Sequence, residues 1–511
     1  MKPASESGAA TPDADESAGR VSNVAVTRES SSAASKSVES IATLLRSAGG
    51  KLTLVGAFTA LLAMTGAQAW PAVGLALVLT SFLPEHRRVL LAVATVAVIA
   101  VSPPVDLDVL HAIASARGGE SMVGVWPLVV VATLAFGCFY TELVRRFPKS
   151  PLGRRPVLGL LFVLTALLVA AGDLSLTGGT GVLLTAAAMT LGSYVWFFAY
   201  AAAESKAAGA TPPLQQLGFW RPFWGFSNVP LGKGAAYLGR VEARDADALA
   251  FTQLAGLQLM VWAVVLTFAM DAFQRALYAP HGGFDGALGL LTGWLPPEGL
   301  PRLAVVIERQ ALGEPFPFST RWASVLAEFV LSVLHMMTWG HPIIATCRMA
   351  GFHAAPNTDR ALLSTSVAEF YNRFYFYFKE LLATFFFYPA FLTFFRKQPK
   401  LRLFTATLLS AGFGNFLFHF YRDSAEIFRL GYLDALVAYH VYGCYALLLG
   451  LSIAVSQARL QARHRRRPEG ARRVLAIVTV LVFYCLLNVL DARTPYPIQE
   501  YAALYVSLVI P

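Results

Sequence analysis

The sequence predicts an all-α polytopic membrane protein, and three observations carry that reading. Hydrophobic residues make up 56% of the chain and charged residues only 14%, where soluble domains carry about 25% charged residues; the mean hydropathy is positive. Apolar stretches recur along the chain at the roughly 20-residue length that spans a bilayer, enough for roughly ten to twelve helices. Basic residues collect in the turns between those stretches, the bias of cytoplasmic loops. The net charge of +10 is therefore topogenic, and no nucleic-acid partner is expected.

Residues 1–50 are rich in Ser, Ala, Glu and Asp and poor in aromatics, a composition that predicts a disordered tail. No basic region leads directly into an apolar run and a cleavage site, so no signal peptide is expected. Residues 51–511 then form one membrane domain. The first apolar stretch, 52–83, is too long for one upright helix; Gly66, Ala67 and Pro71 interrupt it and predict two short ones. Further spans are expected near 88–103, 123–143, 157–173, 177–203, 249–271, 321–346, 403–421, 431–455 and 474–490, with a short apolar end at 496–511.

Three turns set the orientation. Arg145, Arg146, Lys149, Arg154 and Arg155 fill one, and Arg396, Lys397, Lys400 and Arg402 another; Arg459, Arg463, Arg465, Arg466, Arg467, Arg472 and Arg473 fill the third. All three fall on one side, cytoplasmic with the N-terminal tail, provided 366–395 dips in and returns as a kinked or re-entrant segment. Loops 104–122 and 272–320 then lie outside, and the multi-pass protein sits in the cell membrane. In the cytoplasmic loop 204–248, Trp220, Phe223 and Trp224 beside Arg221 predict an interfacial anchor. The four cysteines, Cys138, Cys347, Cys444 and Cys485, have no ligand-like spacing and read as inert thiols without metal or disulfide. No internal repeat is visible.

The candidate functional residues lie in 366–440. Polar groups in apolar spans are costly and mark function by default. Span 403–421 carries Asn415 and His419, with Asp423 one turn further on the same helical face. A neutral imidazole in a dry site can take a proton from a hydroxyl and return it. The structural alternative is a core histidine bonded to a backbone carbonyl or to Asp423. His335 and His341 lie six apart on span 321–346, not at metal-pair spacing, and read as core or pore polar groups. Arg348, Asn357, Asp359 and Arg360 read as solvated or capping.

The same stretch resembles the membrane-bound O-acyltransferase family over roughly 75 residues. Ser366, Glu369, Phe370, Tyr371, Arg373 and Phe374 resemble its first motif, Lys379-Glu380 its basic–acidic pair, and Phe418-His419 its catalytic histidine element. Tyr371 and Phe374 stand where tryptophans are usual, and Phe420 where Gly is usual. Tyr375 falls where many bacterial members have a second histidine; Asn372 is close to that place. The resemblance implies acyl transfer from a cytoplasmic thioester such as acyl-CoA to a hydroxyl of a polysaccharide, lipid or protein, with no tightly bound cofactor and no metal. His419 is then the general base, with Asn415 or Asn372 orienting or stabilising. Arg373, Tyr375, Lys379, Glu380 and His440 bind substrate. The basic turn at 396–402 either attracts the donor's phosphates or is only topogenic.

Two other classes compete. Asp106 and Asp108 form a D-x-D in an outer loop, which either starts a helix or serves a polyprenyl-phosphate-sugar glycosyltransferase as base and metal ligand. A transporter or flippase predicts paired interrupted helices in two similar halves, a symmetry the sequence does not display.

Overall fold

The computed structural model describes residues 46–510 except 68, 102–103, 174–176, 208–210, 212–215, 217–228, 231–233, 279–297, 463–467 and 493. The tail at 1–45 and the aromatic anchor at Trp220, Phe223 and Trp224 lie outside the described residues. The described chain is helical apart from its loops and one isolated bridge, between Glu242 and Phe352. Among the described residues, eight helices are long and apolar enough to cross a membrane, so the all-α polytopic class holds.

The first stretch divides as its composition dictates. Helix α1, Ala48–Met64, is capped by Ser47, whose side chain accepts from the Gly50 amide. Gly66 follows at a φ of 77°, and Pro71 then sits in the first turn of α2, Trp70–Phe82, where its missing N–H costs nothing. The next helices are α3, Arg87–Val101, α4, Leu107–Arg117, α5, Trp126–Arg146, α6, Pro156–Asp173, and α7, Gly178–Glu204. After the long loop come α8, Ala246–Tyr278, α9, Leu303–Ala311, and α10, Phe318–Met349. Helix α8 runs beyond the expected 249–271. Helix α7 is the central one: its aromatic run Tyr194–Trp196–Phe197–Phe198 is buried.

Segment 366–393 is bent, as the charges at its middle require. It consists of α11, Val367–Phe374, α12, Phe376–Leu382, a wide π-helical turn over Ala383–Phe387, and α13, Tyr388–Thr393. Ser366 caps α11, the Glu369 amide donating to its Oγ at 3.1 Å, and the Glu369 carboxylate reaches back one residue further, accepting from the Thr365 amide at 2.8 Å. Tyr375 breaks the path, with φ −143° and ψ 80°. The following span is also interrupted. Helix α14, Pro399–Thr407, passes through a second π-helical stretch, Leu408–Gly414, into α15, Asn415–Arg422. The last long helices are α16, His440–Ala462, and α17, Gly470–Asn488, followed by the short α18, Ile498–Ser507. The span expected at 431–455 thus begins at His440, because Gly431 at φ 89° starts a separate short helix over Tyr432–Ala438.

The two wide turns pack on each other, and the second also on α16, through missing side chains. A Cβ on Gly414 would meet the Phe386 ring at 2.7 Å, and one on Gly450 would meet the Gly412 amide nitrogen at 2.8 Å. Glycine at these positions lets α16 touch backbone just before the Asn415–His419 turn.

Polar ties gather at the bundle's two ends. At the basic end Arg46 pairs with Asp247 at 2.5 Å, and Arg87 and Arg88 hold Glu242 at 3.1 and 3.3 Å; the Ala243 amide donates to the Gly351 carbonyl at 2.8 Å. At the opposite end Arg117 donates to the Phe428 carbonyl, and the Tyr432 amide to Asp173. Cysteine labelling of intact cells is expected to modify engineered cysteines in 303–317 from outside and to spare those in 147–155 and 396–402. External labelling of 396–402 overturns the hairpin arrangement and its cytoplasmic assignment.

Candidate functional site

A cavity of about 280 Å³ lies where α10, α11, α15, α16 and α17 converge. His419 enters it from α15, the segment that follows the wide π-helical stretch Leu408–Gly414; π distortions within helices are frequent at functional sites. The imidazole is half-buried among aromatic rings. Ring centres lie 5.5 Å away at Phe378, 5.3 Å at Phe418 and 4.9 Å at Tyr442. One turn below, Asn415 is buried, and its Oδ1 accepts from the Tyr442 hydroxyl at 3.3 Å. That bond assigns the amide's other end as the donor side. Tyr371 and Tyr375 also line the space.

Several expected residues sit elsewhere. Asn372 and Arg373 line a different space, a groove of about 1040 Å³ at the basic end, with Gln457, Glu469 and Arg472. The period of α11 explains this: Phe370, Tyr371 and Phe374 share the face toward His419, and Glu369, Asn372 and Arg373 share the opposite one. Arg373 pairs with Glu369 at 3.0 Å. Lys379 and Glu380 pair with each other at 3.0 Å, shielded within the protein, with the ammonium 4.8 Å from the centre of the Phe376 ring. His440 is exposed at the start of α16, its Nδ1 2.9 Å from the Val437 carbonyl.

Asp423, Arg348, Asn357 and the basic turn each have partners within the protein. Asp423 caps α15 one turn beyond His419, its amide donating to the His419 carbonyl at 3.0 Å; its carboxylate is held by Arg422 at 2.9 Å and the Tyr439 hydroxyl at 2.6 Å. Arg348 and Asn357 are not solvated: Arg348 donates to the Ala354 and Ala255 carbonyls, and Asn357 is buried against Gly340. The basic turn at 396–402 partly serves itself, since Arg396 donates to the Leu392 carbonyl and Arg402 to that of Phe391.

The cavity also contains residues that the sequence did not nominate for it. His335 reaches it from α10, and Asn488 and Asp491 from the end of α17. For His335 the signal was present, an ionisable group in an apolar span; only packing says which cavity it faces. Asn488 and Asp491 read in sequence as ordinary polar residues at a span end. Of the cysteines, Cys347 and Cys485 are buried and Cys138 and Cys444 half-buried, all as free thiols.

No family model matches this chain, and no curated protein is significantly similar to it.

Proposed function

We propose that the protein is a membrane-embedded O-acyltransferase that takes an acyl group from a thioester at the basic, cytoplasmic end and delivers it to a hydroxyl presented from the other end. The observation that carries this reading is the position of His419. It sits in a cavity separated by the single helix α11 from a large polar groove at the basic end. The imidazole takes the proton of the acceptor hydroxyl as its oxygen attacks the thioester carbonyl. The carbon–sulfur bond then breaks, and the leaving thiolate receives that proton. The Asn415 amide, oriented by Tyr442, supplies a donor for the charge that develops on the carbonyl oxygen. Arg373 and Arg472, in the groove, offer positive charge to a phosphate-bearing donor.

The glycosyltransferase reading has less support, because its carboxylates already have structural work. Asp106 caps α4 by accepting from the Val109 amide at 3.1 Å, and Asp108 occupies the first turn. Purified protein offered radiolabelled acyl thioesters or polyprenyl-phosphate sugars is expected to consume only the thioesters. Asp106→Asn combined with Asp108→Asn is expected to retain activity within about twofold, with a stability loss no larger than the ~1 kcal/mol typical of a helix cap. Metal-dependent sugar transfer abolished by those substitutions would establish the rival class.

A further inference from the structure

A second space of about 360 Å³ opens beside the His419 cavity, lined by Arg302, Leu303, Glu328, Ser332, Asn488 and Asp491. Ser332, Asn488 and Asp491 line both spaces, so the two adjoin across these three side chains. This vestibule lies at the end of the bundle away from the basic turns. Arg302 directly precedes α9, and Asp491 lies just past α17, whose first turn carries the last arginines of the basic stretch 459–473. Resting on the acyltransferase reading, we infer that the vestibule is the acceptor site and that the acceptor is a carbohydrate, an uncharged polyol presented from outside.

Three features of the lining select that chemistry. The carboxylate of Asp491, the amide of Asn488 and the hydroxyl of Ser332 are the donors and acceptors that paired sugar hydroxyls use. Tyr442, Tyr445 and Tyr484 supply flat apolar faces deeper in, against which the C–H face of a sugar ring packs. Charge is balanced. Arg302 binds Glu328 through two bonds, at 2.9 and 2.5 Å, and deeper in Arg422 and Asp491 occupy the same cavity. A site with equal cations and anions favours a neutral ligand over a phosphorylated or acidic one. Mostly apolar pockets with a few convergent polar groups bind small ligands, and here the polar groups cluster at the mouth while the apolar rings surround His419.

The test uses cells that naturally make this chain, with its gene deleted and replaced by wild-type or variant copies, fed radiolabelled acetate. Base-labile label is measured in the carbohydrate, lipid and protein fractions. His419-dependent label in the carbohydrate fraction is the expected result; His419-dependent label in the lipid or protein fraction overturns the acceptor assignment. Absence of any His419-dependent base-labile label sinks the acyltransferase reading itself. Asn488→Ala is expected to lower carbohydrate label at least tenfold at wild-type membrane levels. Should that variant fail to accumulate, Ser332→Phe, which fills the vestibule, takes its place. Full carbohydrate label in an accumulating variant shows that the acceptor does not pass this way.

Discussion

His419→Ala is expected to leave the protein inserted and folded while acyl transfer falls by roughly 10²–10⁴-fold, the usual contribution of a positioned acid–base group. The expectation follows from the setting of the imidazole. It is half-buried in a cavity lined by Phe378 and Tyr442, with the Phe418 ring 5.3 Å away and the Asn415 amide one turn below. A purely structural histidine would give another pattern, in which melting temperature and membrane level drop in step with activity. His440→Ala is the matched comparison. That ring is exposed and rests on the Val437 carbonyl, so its removal is expected to keep activity within a few-fold. Thioester consumption per folded molecule, measured beside thermal unfolding in detergent, separates the cases. Full activity of His419→Ala at normal expression would falsify the proposed chemistry.

Arg87→Ala is expected to produce the largest stability loss outside the site, about 2–3 kcal/mol, because it empties a buried site and leaves Glu242 with only the half-exposed Arg88 as partner. The Arg87 side chain is 2% exposed and holds Glu242 at 3.1 Å, while its Nη1 also donates to the Ala243 carbonyl at 3.2 Å. Its guanidinium lies 5.6 Å from the centre of the Phe352 ring, and a Cβ on Gly351 would meet it at 2.7 Å. One side chain thereby joins the start of α3, the loop before α8 and the loop after α10. Arg88, 38% exposed, reaches the same Glu242 at 3.3 Å, and Arg88→Ala is expected to cost under about 1 kcal/mol. Thermal unfolding of the two variants in one detergent makes the comparison. Equal, small shifts would show that the cluster is dispensable. Activity per folded molecule is expected to survive in both, since neither residue lines the His419 cavity.

The sequence by itself determined the membrane class, nearly every span and the bend in 366–393. Each of these follows from local rules. Apolar length sets a span, Gly66 and Pro71 divide one, and the Lys379–Glu380 pair cannot stand in lipid without partners. It also singled out His419, Asn415 and Tyr375 from the intramembrane polar residues, and all three line one cavity. Tertiary structure alone decided which other residues join them. Asn372 and Tyr371 are adjacent in sequence, yet they serve different spaces, because the helical period and the break at Tyr375 set their directions. His335 and Asn488 are separated from His419 by long stretches of chain, and helix packing brings them to the same cavity. Local propensity specifies how a residue sits on its own helix; which helices converge depends on side-chain volume across the whole bundle. Here that volume is set by small residues such as Gly412, Gly414 and Gly450, where α16 and Phe386 touch backbone.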